Sequence, residues 1–207
     1  MKLQWHGYIR GVQPRIRLTR SFDERSHTYL GFVLWVDGEV GAEEREFLVG
    51  IGKAAQAKHQ FRVGDTAEGL CKEVANSKLD PVDFYKVSQL ARISHSSVDD
   101  SLAPPWTGVA VELPVYRERG HRRLSKTTYT SRCRTCIWGC QMAVEMIIDQ
   151  WNSTQRKYRF ETFCYGPKSC AFYKAGPTRK VPGRRGMSWE EEDWVDEDAT
   201  SHRGPDD

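Results

Sequence analysis

The sequence lacks the long apolar segments of a membrane protein. No stretch approaches about 18 uninterrupted apolar residues, so we do not expect the chain to span a bilayer. The N-terminal residues show no apolar core of a secretory signal, and we therefore expect a cytoplasmic protein. A Walker loop, a dinucleotide-binding glycine fingerprint and a Ser-His-Asp spacing are also missing, which argues against the commonest nucleotide-dependent and hydrolytic enzymes.

Apolar side chains are scarce for a chain of this length. Of 207 residues, 39% are hydrophobic and 29% are charged. A single large core needs a higher apolar fraction than this. Two modest cores, one of them held by a metal, fit the composition better.

The net charge of +3 conceals two blocks of opposite sign. Residues 115–186 contain 16 Lys and Arg against 4 acidic residues, a net charge of +12. Residues 187–207 contain 9 acidic residues and 1 Arg, a net charge of −8. A dense basic block indicates a polyanionic partner, most often nucleic acid, although a solvated basic face balanced by the acidic tail is the alternative.

The first part of the chain is typical of β-structure. Five segments rich in β-branched and aromatic residues lie at 3–18, 28–36, 46–52, 66–74 and 84–93. Asp37-Gly38 marks a turn, and residues 53–60 suit a short helix. Five strands with a helix between the third and the fourth follow the order of an OB-fold barrel.

One phrase in this region resembles OB-fold proteins. Phe61-Arg62-Val63-Gly64-Asp65 is similar to the approach to the fourth strand in many members of that fold. The resemblance implies a five-stranded barrel with a face that commonly binds single-stranded nucleic acid or protein.

The remaining residues predict a second unit. A Ser- and Pro-rich stretch precedes it, residues 138–151 show a helical period, and residues 157–163 alternate as a strand. Short strands are predicted at 109–115 and 127–131. We expect an α+β, mainly β protein with an OB-fold barrel at 1–94, a linker at 95–114, a small basic α+β domain at 115–186 that binds a metal through four cysteines, and an acidic tail at 187–207.

Five of the six cysteines lie in this second unit, and four of them form two pairs. Cys133 and Cys136 have a C-x2-C spacing followed by Gly139, which resembles a zinc knuckle. Cys164 and Cys170 form a second pair across a Gly-Pro turn. Clustered cysteines in a reducing cytosol are more often metal ligands than disulfides.

Zinc is the expected metal, since four thiolates make a closed tetrahedral site with a structural role. An iron–sulfur cluster is the alternative, because clusters also take four cysteines, and a disulfide or no metal is the third possibility. Cys140 is a surplus cysteine that either stays a buried thiol or replaces one of the four. Cys71 stands alone in a strand and is interpreted as a small buried hydrophobe.

Four phrases of the second half resemble a group of uncharacterised bacterial and archaeal OB-fold nucleic-acid-binding proteins with a C-terminal cysteine cluster. The phrases are residues 119–124, 133–139, 163–170 and 191–196. The resemblance implies the fold and the metal site, and it implies no established activity.

Compact basic clusters supply the candidate nucleic-acid contacts, because Arg matches phosphate geometry. The candidates are Arg119, His121, Arg122, Arg123, Lys180, Arg184 and Arg185. Exposed aromatic residues of the barrel would stack bases. The candidates for stacking are Trp5, Tyr29, Phe32 and Trp35. His121 has no paired nucleophile, so we expect a binding protein more than an enzyme.

The acidic tail contains Trp189 and Trp194, which suggests that it docks on something. We expect it to fold back on the basic block and compete with nucleic acid, so that its removal strengthens binding. The sequence thus predicts a protein that binds RNA or single-stranded DNA and contains a structural zinc. The alternatives are an iron–sulfur redox or sensing protein, and an interaction scaffold that binds a protein partner through the acidic tail.

Overall fold

The computed structural model describes residues 2–22, 24–97, 103–152 and 154–207. Residues 98–102 of the predicted linker lie outside this described part of the chain. The described residues form a mainly β, α+β protein built on a large sheet. Among them, no helix combines the length and the apolar character needed to cross a bilayer.

The described residues form an eight-stranded sheet and a two-stranded sheet. The strands are β1 (Leu3–Arg20), β2 (Arg25–Val40), β3 (Glu43–Ile51), β4 (Thr66–Glu73), β5 (Phe84–Ser94), β6 (Arg122–Arg123), β7 (Gly139–Ile147), β8 (Arg156–Cys164), β9 (Arg179–Pro182) and β10 (Ser188–Glu191). The helices are α1 (Lys53–His59), α2 (Leu113–Arg119), α3 (Lys126–Thr128) and α4 (Asp193–Ala199), with a π-helical turn at Tyr129–Cys133 and a 3-10 turn at Arg184–Gly186.

The first five strands are linked in a ring of pairings. β1 pairs antiparallel with β2 over most of its length and with β4 near its start. β2 pairs with β3, β3 meets β5 at Val49 and Phe84, and β5 pairs with β4. The order β1–β2–β3–β5–β4 therefore returns to β1, and α1 lies between β3 and β4 in the chain.

Alternating burial explains why these segments form strands. Trp5 and Ile9 of β1 point inward with Leu34 and Val36 of β2 and with Phe47 of β3, and all five are buried. The intervening positions are mostly half-buried or exposed. Each strand thus contributes one apolar face to a common core.

The turn after β2 comes later than predicted. Asp37 and Gly38 pair within the strand, and the chain turns at Gly41, which has a φ of +66°. Gly38 instead faces Gly7 of β1, where a Cβ on Gly38 would lie 2.3 Å from the carbonyl oxygen of His6. This glycine therefore permits a close approach of two strands and does not form the turn.

The helix predicted at residues 138–151 is wrong, because most of this segment is strand β7. Met142, Val144 and Met146 alternate along β7 and enter the core, and the neighbouring Ala143 is also buried. A strand buried on both faces shows an almost continuous apolar run, which periodicity cannot distinguish from a helix.

Two short segments that the sequence predicts as strands are wholly or partly helical. The strand predicted at residues 109–115 is replaced by the start of α2, which has Pro114 in its first turn. The strand predicted at 127–131 is helical, formed by α3 and the π-helical turn. The strand predicted at 157–163 is confirmed by β8.

The second half extends the sheet of the first. Beyond the ring, the end of β1 pairs parallel with β7, which pairs with β8, and β8 pairs with β6. Cys140, Met142 and Tyr165 belong to the same buried cluster as Trp5 and Ile9. Residues from both predicted domains therefore share one sheet and one core.

Candidate metal centre and nucleic-acid groove

The four cysteines that the sequence singles out line one small cavity. Cys133, Cys136, Cys164 and Cys170 surround a volume of about 10 Å³, walled by Pro104, Pro105, Trp106, Arg132, Trp138, Gly139 and Phe172. A cavity of this size has room for about one water molecule. All six cysteines of the chain are free thiols.

Strand pairing brings the two cysteine pairs together. Cys133 ends the π-helical turn, and Cys136 lies in the tight turn that leads into β7, with its N–H donating to the Cys133 carbonyl at 3.1 Å. Cys164 ends β8 and is the register partner of Gly139 at the start of β7. Cys170 follows in the loop after β8. The β7–β8 hairpin therefore places both pairs at the same end of the sheet.

Backbone donors are directed at two of the sulfur atoms. The N–H of Gly166 donates to the Sγ of Cys164 at 3.4 Å. The backbone groups of Trp138 and Trp106 lie near Cys136 and act to lower its pKa. Gly166 and Trp138 each lie two residues after the cysteine they contact, so the two turns present their donors in the same way. Such donors stabilise thiolate charge.

Burial raises the pKa of three of these cysteines, Cys133, Cys136 and Cys164. Burial, and then the neighbouring thiols of Cys136, Cys164 and Cys170, raise the pKa of Cys133 to about 12. Burial also raises the pKa of Cys136 to about 11 and raises the pKa of Cys164, which Arg122 opposes. Thiols of this kind become thiolates at neutral pH when a cation replaces their protons.

The donor set fits a zinc ion in its chemistry. Four sulfurs, with peptide N–H groups near Cys136 and Cys164 and Arg122 near Cys164, are donors and neighbours of the kind that suit a zinc tetrathiolate. Within residues 2–22, 24–97, 103–152 and 154–207, however, no three His, Cys, Asp or Glu side chains form a group that could hold a metal ion. The four thiols thus surround the cavity without converging on a common point.

The other two cysteines lie outside this cavity. Cys140 is fully buried, its thiol donates to the carbonyl of Pro14 at 3.3 Å, and burial raises its pKa. Cys71 is buried in β4, and burial raises its pKa to about 11. Both behave as small core residues.

Four of the predicted nucleic-acid contacts, Arg119, His121, Arg122 and Arg123, are engaged inside the fold. Arg123 is fully buried and bonds Asp196, Asp193 and two backbone carbonyls. Arg122 is buried, with its guanidinium 3.8 Å from the ring centroid of Tyr173.

His121 packs against the aromatic rings of neighbouring residues, and Arg119 bonds a backbone carbonyl. The His121 ring is 5.0 Å from that of His27 and 4.4 Å from that of Phe163. Burial, followed by the nearby positive charges, lowers the pKa of His121 well below its usual value. Arg119 donates to the Tyr165 carbonyl at 2.8 Å. None of these groups is free to follow a phosphate backbone.

The other three candidates, Lys180, Arg184 and Arg185, are exposed. Arg184 forms an ion pair with Asp149 at 3.4 Å, and Lys180 and Arg185 have no ion pair with a described residue. They lie on and after β9, apart from the buried group. The structure therefore divides the seven residues into three that are buried, one, Arg119, that is half-buried and bonded to the backbone, and three that are exposed.

The acidic segment folds back on the basic block. β10 pairs antiparallel with β9, and Glu191 is buried with its carboxylate 2.9 Å from Arg20 and 3.3 Å from Arg25. Asp196 of α4 pairs with Arg123 at 2.9 Å. These buried pairs make residues 188–199 an integral part of the fold.

A groove lies on the outer face of the first three strands. Gly11, Trp35 and Leu48 are register partners across β1, β2 and β3, and they line a cavity of about 180 Å³. The opposite wall comes from the second half of the chain. Its residues are Lys126, Tyr129, Thr130, Arg134, Gln141 and Thr162.

Trp35 and Arg134 form the most distinctive contact of this groove. The guanidinium of Arg134 lies 3.7 Å from the centroid of the Trp35 ring. Arg134 keeps 37% of its side chain exposed and makes a distant ion pair of 3.7 Å with Glu46. Of the four aromatic stacking candidates, Trp5 and Phe32 are buried in the core, while Tyr29 and Trp35 are half-buried.

Gln13 connects the groove to the cysteine cavity. Its Nε2 donates to the carbonyls of Cys133 at 2.8 Å and Cys136 at 2.9 Å, and its Oε1 accepts from Tyr129 at 2.7 Å. The side chain is buried and lines the groove. Sequence reasoning missed Gln13, Lys126 and Arg134, because nothing in their local sequence shows that chain folding brings them to one face.

Comparison of the chain with protein-family models, with curated proteins and with solved structures finds no match.

Proposed function

We propose that this protein binds single-stranded nucleic acid, either RNA or DNA, through the groove on β1, β2 and β3. The ring of pairings β1–β2–β3–β5–β4, with α1 between β3 and β4, supports an OB-fold barrel for the first part of the chain. In OB-folds, the face formed by the second and third strands is the one that binds oligonucleotides. The groove lies on that face, which is also consistent with the resemblance to OB-fold nucleic-acid-binding proteins.

The observation that carries this proposal is the pair formed by Trp35 and Arg134 at the surface of the groove. An indole covered by a planar guanidinium offers a flat cationic surface on which a base of any sequence can stack. Lys126 on the same wall provides a positive charge for a phosphate.

We also propose a structural zinc in the cavity of the four cysteines. A closed four-sulfur site leaves no open position for a substrate, so its role would be to fix the segment from Lys126 to Cys136. The small cavity volume of about 10 Å³ favours one ion over an iron–sulfur cluster. Free thiols also favour a reducing compartment, and we propose a cytoplasmic location on that ground.

The test is fluorescence anisotropy with labelled oligonucleotides of about 12 nucleotides, titrated between about 50 and 200 mM salt. Trp35→Leu should weaken binding by about 5- to 150-fold, the loss expected for one stacked base. Arg134→Lys keeps the charge but removes the flat surface, so it should also weaken binding. Trp151→Leu is the matched control, because Trp151 is 88% exposed and lies outside the groove.

The contribution of phosphate contacts to binding is measured separately, by the dependence of the affinity on salt concentration. Lys126→Gln should reduce the slope of log affinity against log salt by about 0.7, the value for one phosphate contact on a single strand. Lys72→Gln, a change at an exposed position of β4, should leave the slope unchanged. Equal affinities of the wild type, Trp35→Leu and Arg134→Lys, or binding without salt dependence, would refute the proposal.

A further inference from the structure

A second cavity of about 780 Å³ lies away from the groove. It opens between α1, β2 and the segment that leads into α2. Its lining residues include Tyr29, Phe32, Lys53, Gln56, Leu113 and Arg117. It shares no lining residue with the nucleic-acid groove. Its volume is in the range of pockets that bind small organic molecules.

The walls of this cavity are mainly apolar and aromatic. Phe32 and Leu113 are buried and belong to the main core, and Tyr29 packs against it. Ala54 and Ala57 present the short side chains of α1. A flat apolar body could therefore lie between α1 and the aromatic side chains of β2.

Gln56 lines the cavity and has one buried polar atom without a partner. Gln56 is 3% exposed, and its Nε2 donates to the Phe61 carbonyl at 2.9 Å, which fixes the orientation of the amide. Its Oε1 accepts no hydrogen bond from any described residue. An unsatisfied buried acceptor is costly, so a ligand that donates a hydrogen bond to this atom would gain from it.

Two cations at the cavity are available to an anion. Lys53 and Arg117 are exposed, and neither forms an ion pair with a described residue. The Arg117 guanidinium lies 4.8 Å from the ring centroid of Tyr29. Glu112 is the one acidic residue of the lining, so the local charge is positive by one unit.

We propose that this cavity binds a small organic anion with a flat apolar body and one hydrogen-bond donor. The apolar body would lie against Tyr29 and Phe32, the donor would bond the Oε1 of Gln56, and the anionic group would pair with Lys53 and Arg117. A carboxylate and a phosphate share this chemistry. The site is independent of the proposed nucleic-acid groove.

The probe for the test is 1-anilinonaphthalene-8-sulfonate, which combines a flat apolar body, an N–H and a negative charge. N-phenyl-1-naphthylamine is its uncharged counterpart. Both dyes are titrated into the full chain by fluorescence. Lys53→Gln and Arg117→Gln should each weaken binding of the charged dye about threefold, and together about tenfold. Lys72→Gln, at an exposed position outside the cavity, should have no effect.

A steric variant gives an independent readout. Ala57→Trp places a large side chain at the cavity from an exposed helix position and should weaken binding of both dyes. Near-UV circular dichroism confirms that each variant is folded. The charged dye should also bind more tightly than the neutral one. Unchanged affinity in the Lys53→Gln Arg117→Gln variant or in Ala57→Trp would overturn the proposal.

Competition then distinguishes the two kinds of anionic group. Adenosine monophosphate carries a phosphate that ribose links to adenine, and indole-3-acetate carries a carboxylate on a side chain of indole. Both ring systems are flat and have an N–H. Displacement of the charged dye by one of them at up to about 1 mM supports the site and identifies its preferred anion. Displacement by neither would mean that the dye adheres without a specific site, and the proposal would be wrong.

Discussion

Replacement of Asp196 by Asn should strongly destabilise the protein. Arg123 is fully buried, and Asp196 accepts hydrogen bonds from both its Nε at 2.9 Å and its backbone N–H at 3.1 Å. The substitution leaves the guanidinium buried beside Asp193, whose side chain is 79% exposed and compensates little. Loss of one partner of a buried ion pair costs about 3–5 kcal/mol.

The assay is urea unfolding followed by circular dichroism. With a slope of about 2 kcal/mol per M, the midpoint should fall by about 2 M. Asp198→Asn is the matched control, because Asp198 lies in the same helix, is exposed and should change stability by less than about 0.5 kcal/mol. A loss below about 1 kcal/mol for Asp196→Asn would show that the buried network does not hold α4 in place.

The same reasoning changes the expectation for removal of the acidic segment. Glu191 neutralises the buried Arg20, and Asp196 neutralises the buried Arg123. Truncation after residue 186 would remove both acidic partners of Arg123 and leave Arg20 with Glu161 alone, at 3.8 Å, in the interior. We therefore expect unfolding or a large loss of stability, instead of the stronger nucleic-acid binding that the charge pattern predicts.

Three further predictions concern pH, metal and packing. Burial lowers the pKa of His27 to about 4 and that of His121 well below its usual value, so the unfolded chain binds more protons below pH 6.5. The free energy of unfolding, measured by urea titration, should therefore fall as pH decreases from about 6.5 toward 4, by about 1.5 kcal/mol at pH 5 from His27 alone and further through His121, and a flat profile would contradict this. Cys164→Ser should abolish stoichiometric zinc in elemental analysis and lower the melting temperature, whereas Cys140→Ala should keep the zinc; zinc bound to Cys164→Ser would contradict the site. Gly139→Ala should lower the melting temperature because its Cβ would lie 2.5 Å from the Cys133 carbonyl oxygen, and an unchanged melting temperature would show that this turn can relax.

The strands of the first half could be predicted because their side chains alternate. Burial on one face forces every second residue to be apolar, and this signal is local. The position of the turn after β2 was not predictable in the same way, because Asp37-Gly38 has the sequence of a turn while Gly38 is instead required by its contact with His6 on another strand. The same limit applies to β7, whose two faces are both covered.

The cysteine cavity could be recognised because cysteines are rare and their spacing is informative. Cys133, Cys136, Cys164 and Cys170 were named from the sequence and line one cavity. Gln13 could not be recognised, since it lies more than a hundred residues from the carbonyls that it binds. Its role depends entirely on the register of β1 against the second half of the chain.

The charge blocks show how composition can mislead about an interface. The count of +12 in residues 115–186 includes Arg123, which Asp196 neutralises inside the protein, and Arg122, which stacks on Tyr173. Charges that the fold neutralises contribute little to the field felt by a distant polyanion. The cations that matter for binding are therefore those that folding leaves accessible. Lys126 and Arg134 remain accessible because they flank the π-helical turn, which forms the wall of the groove opposite the strands of the first half. If the proposed zinc fixes this turn, its removal should reduce nucleic-acid affinity even though no basic residue is lost.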